Sequence, residues 1–317
     1  MRTKHVLRRL SIAIPTFFGI TLLTYIVLSF AGNPLDAFLA DPNITAAELE
    51  RKRLALGLDQ PVIFQYFIWL KNFLSGDLGY SIATQRSVFV MIGERLGITS
   101  LLAGSSILLS LSVAIPLGVF SATKPNSLRD HTSSAAAFFF VAMPNFFMGL
   151  LLIFLFAVRL KMLPSGGLYD STGAKTTLML LRHMILPCLV LSFQNIGSWM
   201  RYMRGSMLEV LQNDYILTAR AKGLKRRQVY LRHALKNSLT PIITVVGMSI
   251  PSLVGGAVVT EQVFSWPGIG TLMVQAIHSK DYPVIMGITV IIAIVVLVAN
   301  LVTDLAYGLI DPRISYE

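Results

Sequence analysis

The sequence predicts an all-α polytopic membrane protein with six transmembrane helices and with both termini in the cytoplasm. The chain is 54% hydrophobic and only 14% charged, whereas a soluble protein carries about 25% charged residues. Six charge-free stretches each approach or exceed the ~18–20 residues that cross a bilayer as a helix. Their apolar residues run all round rather than alternating, which favours helices over the strands of a membrane barrel.

The six predicted spans follow one another along the whole chain. They are Leu10–Leu35, Leu96–Thr123, Thr132–Val158, His183–Met200, Asn237–Thr260 and Tyr282–Thr303. The first follows a basic N-terminus, as the apolar part of a signal peptide would. It is too long for that role and five more spans follow, so we interpret it as a retained helix. Prolines such as Pro116 and Pro187 are compatible with these spans, because membrane helices tolerate proline.

Lysine and arginine predict the orientation. Alternating the spans places 16 of the 27 basic residues on one side, nine of them in the segment 201–236. Six of the remaining 11 lie in the long segment 36–96, and loops of that length contribute little to the positive-inside rule. The segment 201–236 and both termini are therefore predicted to be cytoplasmic. The net charge of +11 suits contact with anionic membrane lipid. Nucleic-acid binding is not supported, because no basic stripe is interleaved with exposed aromatics.

The loops predicted outside the cytoplasm carry three local signals. Thr45–Glu48 is a capping box that opens a short helix, which Gly57 can close. Gln65, Tyr66, Trp69 and Phe73 indicate an amphipathic helix lying along the membrane surface. The segment Phe264–Gly270 predicts a tight turn with aromatics at the membrane interface.

The segment Asp214–Asn237 is the most informative part of the chain. Asn213 or Asp214 can cap the start of a short helix, and Gly223 can end it in the left-handed conformation. Helical spacing places four side chains near one face: Leu208, Leu211, Tyr215 and Ala219. A short helix with small residues can dock into a groove of another protein. A solvated basic loop at the lipid surface explains the same residues, and the segment alone leaves both interpretations open.

Enzyme chemistry has little support. Cys188 lies inside an apolar run and is interpreted as a packing residue. The five histidines are scattered, and none forms a metal-binding pair such as H-E-x-x-H. The segment Gly167–Thr176 lacks the glycine-lysine junction of a phosphate loop. The predicted spans also lack a charge at mid-depth, which argues against an ion-coupled carrier.

Short motifs along nearly the whole chain resemble those of the B-type permease of the oligopeptide/dipeptide (peptide/nickel) group, the membrane subunit of a type I ATP-binding-cassette importer. In chain order they are Leu56-Gly-Leu-Asp59 with Pro61, Trp69, Gly76-Asp-Leu-Gly79 with Ser81, Asp214-Tyr215 leading into TARAKGL, Arg232–Asn237, Glu261 with Phe264–Gly270, Asp281-Tyr-Pro283, Asn300-Leu301, and Asp304, Tyr307 and Asp311-Pro-Arg313. Each motif alone is weak, but the set in this order is highly specific.

Membrane subunits of such importers share a cytoplasmic Glu-Ala-Ala motif followed by a glycine. Aligned on Gly223, this chain keeps Ala219, Gly223 and Leu235. It departs from the pattern at Leu217, Thr218, His233 and Lys236, as the peptide/nickel branch does. Arg220 and Lys222 can replace the polar anchoring of the missing glutamate. The resemblance implies that the ATPase contact is a coupling helix made by Asp214, Tyr215, Ala219, Arg220, Ala221, Lys222, Gly223 and Leu224.

The resemblance also implies the fold of a type I ABC importer permease in a bacterial or archaeal cytoplasmic membrane. Its expected partners are a second homologous permease subunit, two cytoplasmic ATPase subunits and an extracytoplasmic substrate-binding protein. No cofactor is expected on this chain, and ATP and magnesium belong to the ATPase subunits. The expected organisation is residues 1–95 as the first helix with a large outer loop, residues 96–308 as the transmembrane domain, and residues 309–317 as a cytoplasmic tail.

The expected cargo is di- and oligopeptides, with nickel chelates, glutathione, opines and some sugars as alternatives within the same machinery. Two other classes of protein remain as alternatives. A channel or self-sufficient carrier would transport without an ATPase, and a membrane-embedded enzyme would need a nucleophile and base or a metal site.

Overall fold

The computed structural model describes residues 2–33, 35, 44–55, 57–170 and 175–310. These residues form α-helices joined by short connections, and within them no strand element occurs beyond an isolated bridge between Tyr80 and Ser87. The α-helices are α1 (Arg2–Phe30), α2 (Ala46–Ala55), α3 (Val62–Leu74), α4 (Val88–Ala122), α5 (Leu128–Ala142), α6 (Asn145–Leu152), α7 (Thr177–Val210), α8 (Asp214–Ala221), α9 (Arg226–Gln228), α10 (Leu235–Val263), α11 (Ile269–His278) and α12 (Tyr282–Ile310). Two π-helical segments, Ile153–Arg159 and Val229–Ala234, follow α6 and α9.

Among the residues that the structure describes, four helices are long and apolar enough to cross a membrane, or five if one bent pair is a single span. The four are Ser11–Phe30, Val88–Ala122, Thr177–Val210 and Tyr282–Thr303. The predicted span Asn237–Thr260 lies within the 29 residues of α10, where the side chains of residues 251–256 are outside the described part of the chain. The count of six spans therefore stays a prediction.

The predicted span Thr132–Val158 is broken in the structure. It forms α5 and then α6 with the π-helical segment, and the two parts are bent by 102°. Met143 between them is extended, with ψ 126°, and Pro144 precedes α6. Proline disfavours the helical conformation of the residue before it, so a continuous apolar run becomes two helices at this point.

The chain divides into two compact units, and the predicted domain organisation stays a prediction. One unit contains Met1–Thr99 and Pro267–Val298, and the other contains Ser100–Trp266 and Ala299–Glu317. Helices α4 and α12 each contribute to both units. Residues 309 and 310 of the predicted tail belong to α12, which ends at Ile310. Residues 311–317 are outside the described residues.

The first unit is built around the start of α4, α11 and the start of α12, whose apolar side chains form one core. The buried Asp281 connects two of the sequence motifs within this unit. Its carboxylate accepts hydrogen bonds from the hydroxyl of Ser81 and from the backbone N–H of Ile82, the latter at 3.0 Å. These bonds fix the connection before α4 to the N-terminus of α12.

Helix α7 is the centre of the second unit and packs against α5, α6 and α10. Glycine allows two of its closest approaches. A Cβ at Gly197 would lie 2.5 Å from the carbonyl oxygen of Ala137 on α5, and a Cβ at Gly118 of α4 would lie 2.6 Å from Cβ of Met203. Small residues at such contacts let helix backbones approach closely.

The structure confirms the capping box predicted before α2. Thr45 and Glu48 make reciprocal hydrogen bonds between side chain and backbone, at 3.0 and 3.2 Å. This is the predicted capping box at the start of α2. Gly57 has φ +65°, as expected for a residue that ends a helix in the left-handed region.

The predicted amphipathic helix around Gln65 and Phe73 is present as α3, and its position along the membrane surface stays a prediction. The aromatic face of α3 packs on α1. Tyr66 of this face is buried, and its hydroxyl lies 3.0 Å from the hydroxyl of Thr21 in a hydrogen bond. The prediction that Phe264 and Trp266 lie at the membrane interface is wrong for their side chains, because both are fully buried in the protein. Phe264 packs against Leu186 of α7, so the aromatics of this turn stabilise the fold.

Candidate functional site

The predicted docking helix is α8, which has eight residues. Asn213 is extended at its start, and its side chain makes no capping hydrogen bond. The helix ends at Ala221, and Gly223 follows with φ +77°. The N–H of Gly223 donates to the carbonyl of Arg220 at 2.9 Å. The predicted start and the left-handed glycine at the end are both confirmed.

Helix α8 has a buried face and an exposed face. Ile216 is fully buried and Ala219 is 6% exposed. Both belong to a core that includes Met207 of α7 and Val229 of the π-helical segment. Three positions separate Ile216 from Ala219, so both lie on one side of the helix. This face attaches α8 to its own chain.

The exposed face carries the remaining predicted contact residues. Exposed positions are Asp214, Tyr215, Arg220, Ala221, Lys222, Gly223 and Leu224. The sequence interpretation expected Ala219 to offer a close approach to a partner. In the structure, Ala219 faces the core of this chain instead. Leu217 is 53% exposed and is an apolar contact candidate that the sequence interpretation treated only as a departure from a motif.

The predicted face of Leu208, Leu211, Tyr215 and Ala219 is only partly present. Leu208, Leu211 and Ala219 pack on the same core, whereas Tyr215 is 41% exposed. Helix α7 ends at Val210 and α8 begins at Asp214, so the helical phase restarts between them. The spacing of Ile216 and Ala219 within α8 was the signal available in the sequence.

Helix α8 is also fixed to the start of α10. The side-chain amide of Asn237 donates to the hydroxyl of Tyr215 at 2.8 Å and to the carbonyl of His233 at 3.3 Å. A force on α8 can therefore be transmitted to two long helices, α7 through the buried core and α10 through this amide.

The sequence matches two family models that together cover most of the chain. Residues 114–316 match the model described as the binding-protein-dependent transport system inner membrane component. Residues 2–103 match the N-terminal model of the same membrane component. The chain belongs to this family of transport-system membrane components. It is a B-type permease of the ATP-binding-cassette importers.

Curated relatives align with this membrane component over nearly their full length. The oligopeptide transport system permease protein AppB of Bacillus subtilis is 42% identical over 314 residues, which cover 98% of this chain and 99% of AppB. The dipeptide transport system permease protein DppB of Escherichia coli K12 is 36% identical over 336 residues, with 99% of each chain covered.

The fold is similar to that of a solved transporter. A chain of the MetNI methionine ABC transporter in an inward-facing conformation matches with a TM-score of 0.55 and 16% identity. The match covers 70% of this chain and 97% of that chain. At this identity the likeness concerns the fold, and it supports the type I importer fold for this membrane component.

The surface around α8 is strongly basic. Arg220, Lys222, Lys225, Arg226 and Arg227 are all exposed, and none forms an ion pair with a carboxylate among the described residues. This membrane component therefore presents α8 with free positive charge at its C-terminal end, where cations also interact favourably with the helix dipole.

A buried ion pair fixes the connection between α4 and α5 to α7. Both carboxylate oxygens of Asp130 accept from Arg204, with Nε and Nη2 at 2.6 and 2.7 Å. The hydroxyl of Ser121 and the backbone N–H of Asn126 also donate to this carboxylate. Sequence reasoning missed this pair, because 74 positions separate its members.

The described residues contain no group of three potential metal ligands. His183 is held by the carbonyl of Gly166 at 2.9 Å and by Asp170 at 3.1 Å, so both of its ring nitrogens have partners. Cys188 is buried inside α7. Residues 171–174 of the weak phosphate-loop candidate lie outside the described residues.

Proposed function

We propose that this chain is one of two membrane-spanning subunits of an ATP-driven importer that carries di- and oligopeptides across the cytoplasmic membrane. The observation that carries the proposal is the structure of α8. One face is anchored in the chain by Ile216 and Ala219, and the other is exposed in a basic segment of a binding-protein-dependent membrane component. The peptide cargo is supported by the names of AppB and DppB.

In the proposed mechanism a binding protein delivers the peptide at the extracytoplasmic face. Two ATPase subunits hold α8 of this chain and the equivalent helix of a second, homologous permease. ATP binding closes the ATPase subunits, and α8 moves α7 and α10 because its buried face and Asn237 connect it to both. Packed helices then switch largely as rigid bodies between two access states.

The proposed orientation places both termini, α8 and the basic segment in the cytoplasm, with six spans in total. The concentration of Lys and Arg in residues 201–236 supports this orientation. ATP and magnesium bind to the ATPase subunits, and this chain supplies the path and the mechanical contact.

Transport by the complete complex in proteoliposomes tests the proposal. The readout is uptake of a radiolabelled dipeptide supplied with the binding protein, with ATP enclosed on the ATPase side. Uptake that requires both ATP and the binding protein supports the proposal. Uptake without ATPase subunits would instead identify a channel or carrier.

Competition defines the cargo within the same assay. Unlabelled di- and oligopeptides should suppress uptake, whereas a nickel chelate, glutathione or an opine should not. Suppression by one of the latter with no effect of peptides would contradict the peptide assignment.

The purified chain alone should hydrolyse no ATP, and activity that survives removal of every other subunit would contradict the assignment of ATP hydrolysis to partners.

A further inference from the structure

A cavity of about 580 Å³ lies in the second unit between the end of α4 and the segment that joins α9 to α10. One part of its wall is apolar and the other is basic. The apolar residues are Ile115, Pro116, Val119, Leu231 and Leu235, and the basic residues are Lys124, Arg129, Arg226 and Arg227. We infer that this cavity binds an anionic phospholipid, with the phosphate at the basic wall and the upper acyl chains at the apolar wall.

Arg129 is the central cation of the basic wall. Its Nη2 donates to the hydroxyl of Thr123 at 3.1 Å, and its guanidinium lies 4.7 Å from the ring centroid of Phe120. Its Nε is buried and has no hydrogen-bond partner among the residues that the structure describes. A phosphate oxygen in the cavity would accept from the terminal nitrogens of Arg129, since guanidinium groups are strong N–H donors to phosphate.

The neighbouring acid cannot neutralise this wall. Asp130 follows Arg129 in sequence, but its two oxygens already accept from Arg204, Ser121 and Asn126. In the described part of the chain, the four basic residues of the wall have no carboxylate partner within ion-pair distance. The site is therefore electropositive, which favours an anionic occupant.

The extent of the cavity lining along α4 favours a lipid over an acidic protein segment. Ile115 lies eight residues before Thr123 on the same helix, which is about 12 Å along its axis. This part of α4 belongs to a helix apolar enough to cross the membrane. An acidic peptide could neutralise the cations but would leave the apolar wall uncovered. A phospholipid supplies negative charge and hydrocarbon at this spacing.

Two aromatic residues also line the cavity. Phe120 is half exposed beneath Arg129, and Tyr230 lines the cavity beside Leu231. Aromatic side chains favour the headgroup level of a bilayer. Placement of the site in the cytoplasmic leaflet rests on the orientation proposed above. Basic pockets between membrane helices on that side attract anionic headgroups.

Lipid titration of the purified, complete transport complex tests the inference. Native mass spectrometry would count bound phosphatidylglycerol and, in a parallel titration, phosphatidylcholine. The wild-type complex should retain phosphatidylglycerol preferentially. Replacing Arg129, Arg226 and Arg227 with Gln should weaken that retention about fivefold for each cation removed. The matched control is Arg232→Gln, because Arg232 is exposed in the same segment but does not line the cavity.

A pair of variants at one position separates charge from packing. Leu231→Glu should reduce retention of phosphatidylglycerol, and Leu231→Lys should preserve it. Equal retention by the triple variant and the wild type would overturn the inference, as would equal retention of the two lipids. Displacement by millimolar inorganic phosphate would show a simple anion site and would also overturn it. Loss of an ATPase subunit with unchanged lipid would indicate an acidic protein partner instead.

Peptide uptake by the same preparations distinguishes the two proposals. If the wild-type complex retains phosphatidylglycerol but transports no peptide, the proposed function fails and the lipid site stands. If uptake proceeds and the triple variant binds lipid as the wild type does, the lipid site fails and the proposed function stands.

Discussion

Asp130 and Arg204 form a two-bond ion pair at 2.6 and 2.7 Å, and the side chain of Asp130 is only 2% exposed. The pair joins the first turn of α5 to α7, and Ser121 extends it to the end of α4. Three helices of the second unit therefore meet at one carboxylate, close in sequence to the basic wall of the cavity.

Removing one member of this pair should destabilise the protein strongly. Arg204→Gln leaves the buried carboxylate of Asp130 without its counterion, and such a change costs about 3–5 kcal/mol. The free energy of unfolding of the purified subunit, from denaturant titration in detergent, is the measurement. Arg86→Gln is the matched control. Arg86 also lies 2.6 Å from a carboxylate, that of Glu94, but both side chains are about half exposed, so its loss should cost less than about 1 kcal/mol. Equal effects at the two pairs would contradict the role of burial.

Substitutions at two neighbouring residues of α8 should affect different properties, one the stability of the fold and the other the retention of the ATPase subunits. Ile216→Ala removes a fully buried side chain and should lower the free energy of unfolding by about 2–4 kcal/mol. Leu217→Ala changes a side chain that is 53% exposed, so stability should stay the same while the ATPase subunits are retained less well. Denaturant titration and copurification of the ATPase subunits measure the two effects. A Leu217→Ala complex with full ATPase retention would exclude this face as the contact.

Gly223→Val should uncouple transport without preventing membrane insertion. A Cβ at Gly223 meets no atom of the described residues within 4 Å, but φ is +77°, and a β-branched residue there costs about 1–3 kcal/mol. The variant should accumulate in the membrane and lose dipeptide uptake, with weaker retention of the ATPase subunits.

Two substitutions control the glycine experiment. Gly223→Asn should keep most uptake, because asparagine tolerates the left-handed conformation. Gly205→Ala should be neutral, since Gly205 lies in α7 with open space around its Cβ position and no positive φ. Normal uptake and normal ATPase copurification by Gly223→Val would mean that Gly223 only ends a surface helix.

Thiol labelling should show opposite sides of the membrane for two exposed positions. In a Cys188-free background, a cysteine replacing Ser265 should react with an impermeant reagent added to intact cells, and one replacing Arg226 should react only after permeabilisation. Both native side chains are exposed, so burial does not explain a difference between them. Labelling of position 226 in intact cells, with position 265 protected, would reverse the orientation.

The sequence predicted the features that depend on local patterning. Apolar length predicted membrane helices, the Thr45–Glu48 capping box predicted the start of α2, and Gly223 predicted the end of α8. Each of these depends on residues within one helix or one turn. The motifs also predicted the family to which the chain belongs. Their order and spacing are properties of the sequence, so no structure was needed to recognise them.

Only the tertiary structure decided which faces are used. Ile216 and Ala219 face the chain's own core while Leu217 faces outward, because α7 ends before α8 and the helical phase is reset between them. Asp130 and Arg204, like Ser81 and Asp281, meet across long sequence separations that no local pattern encodes. Phe264 and Trp266 are apolar enough for a membrane interface or for a core, and packing against neighbouring helices selected the core.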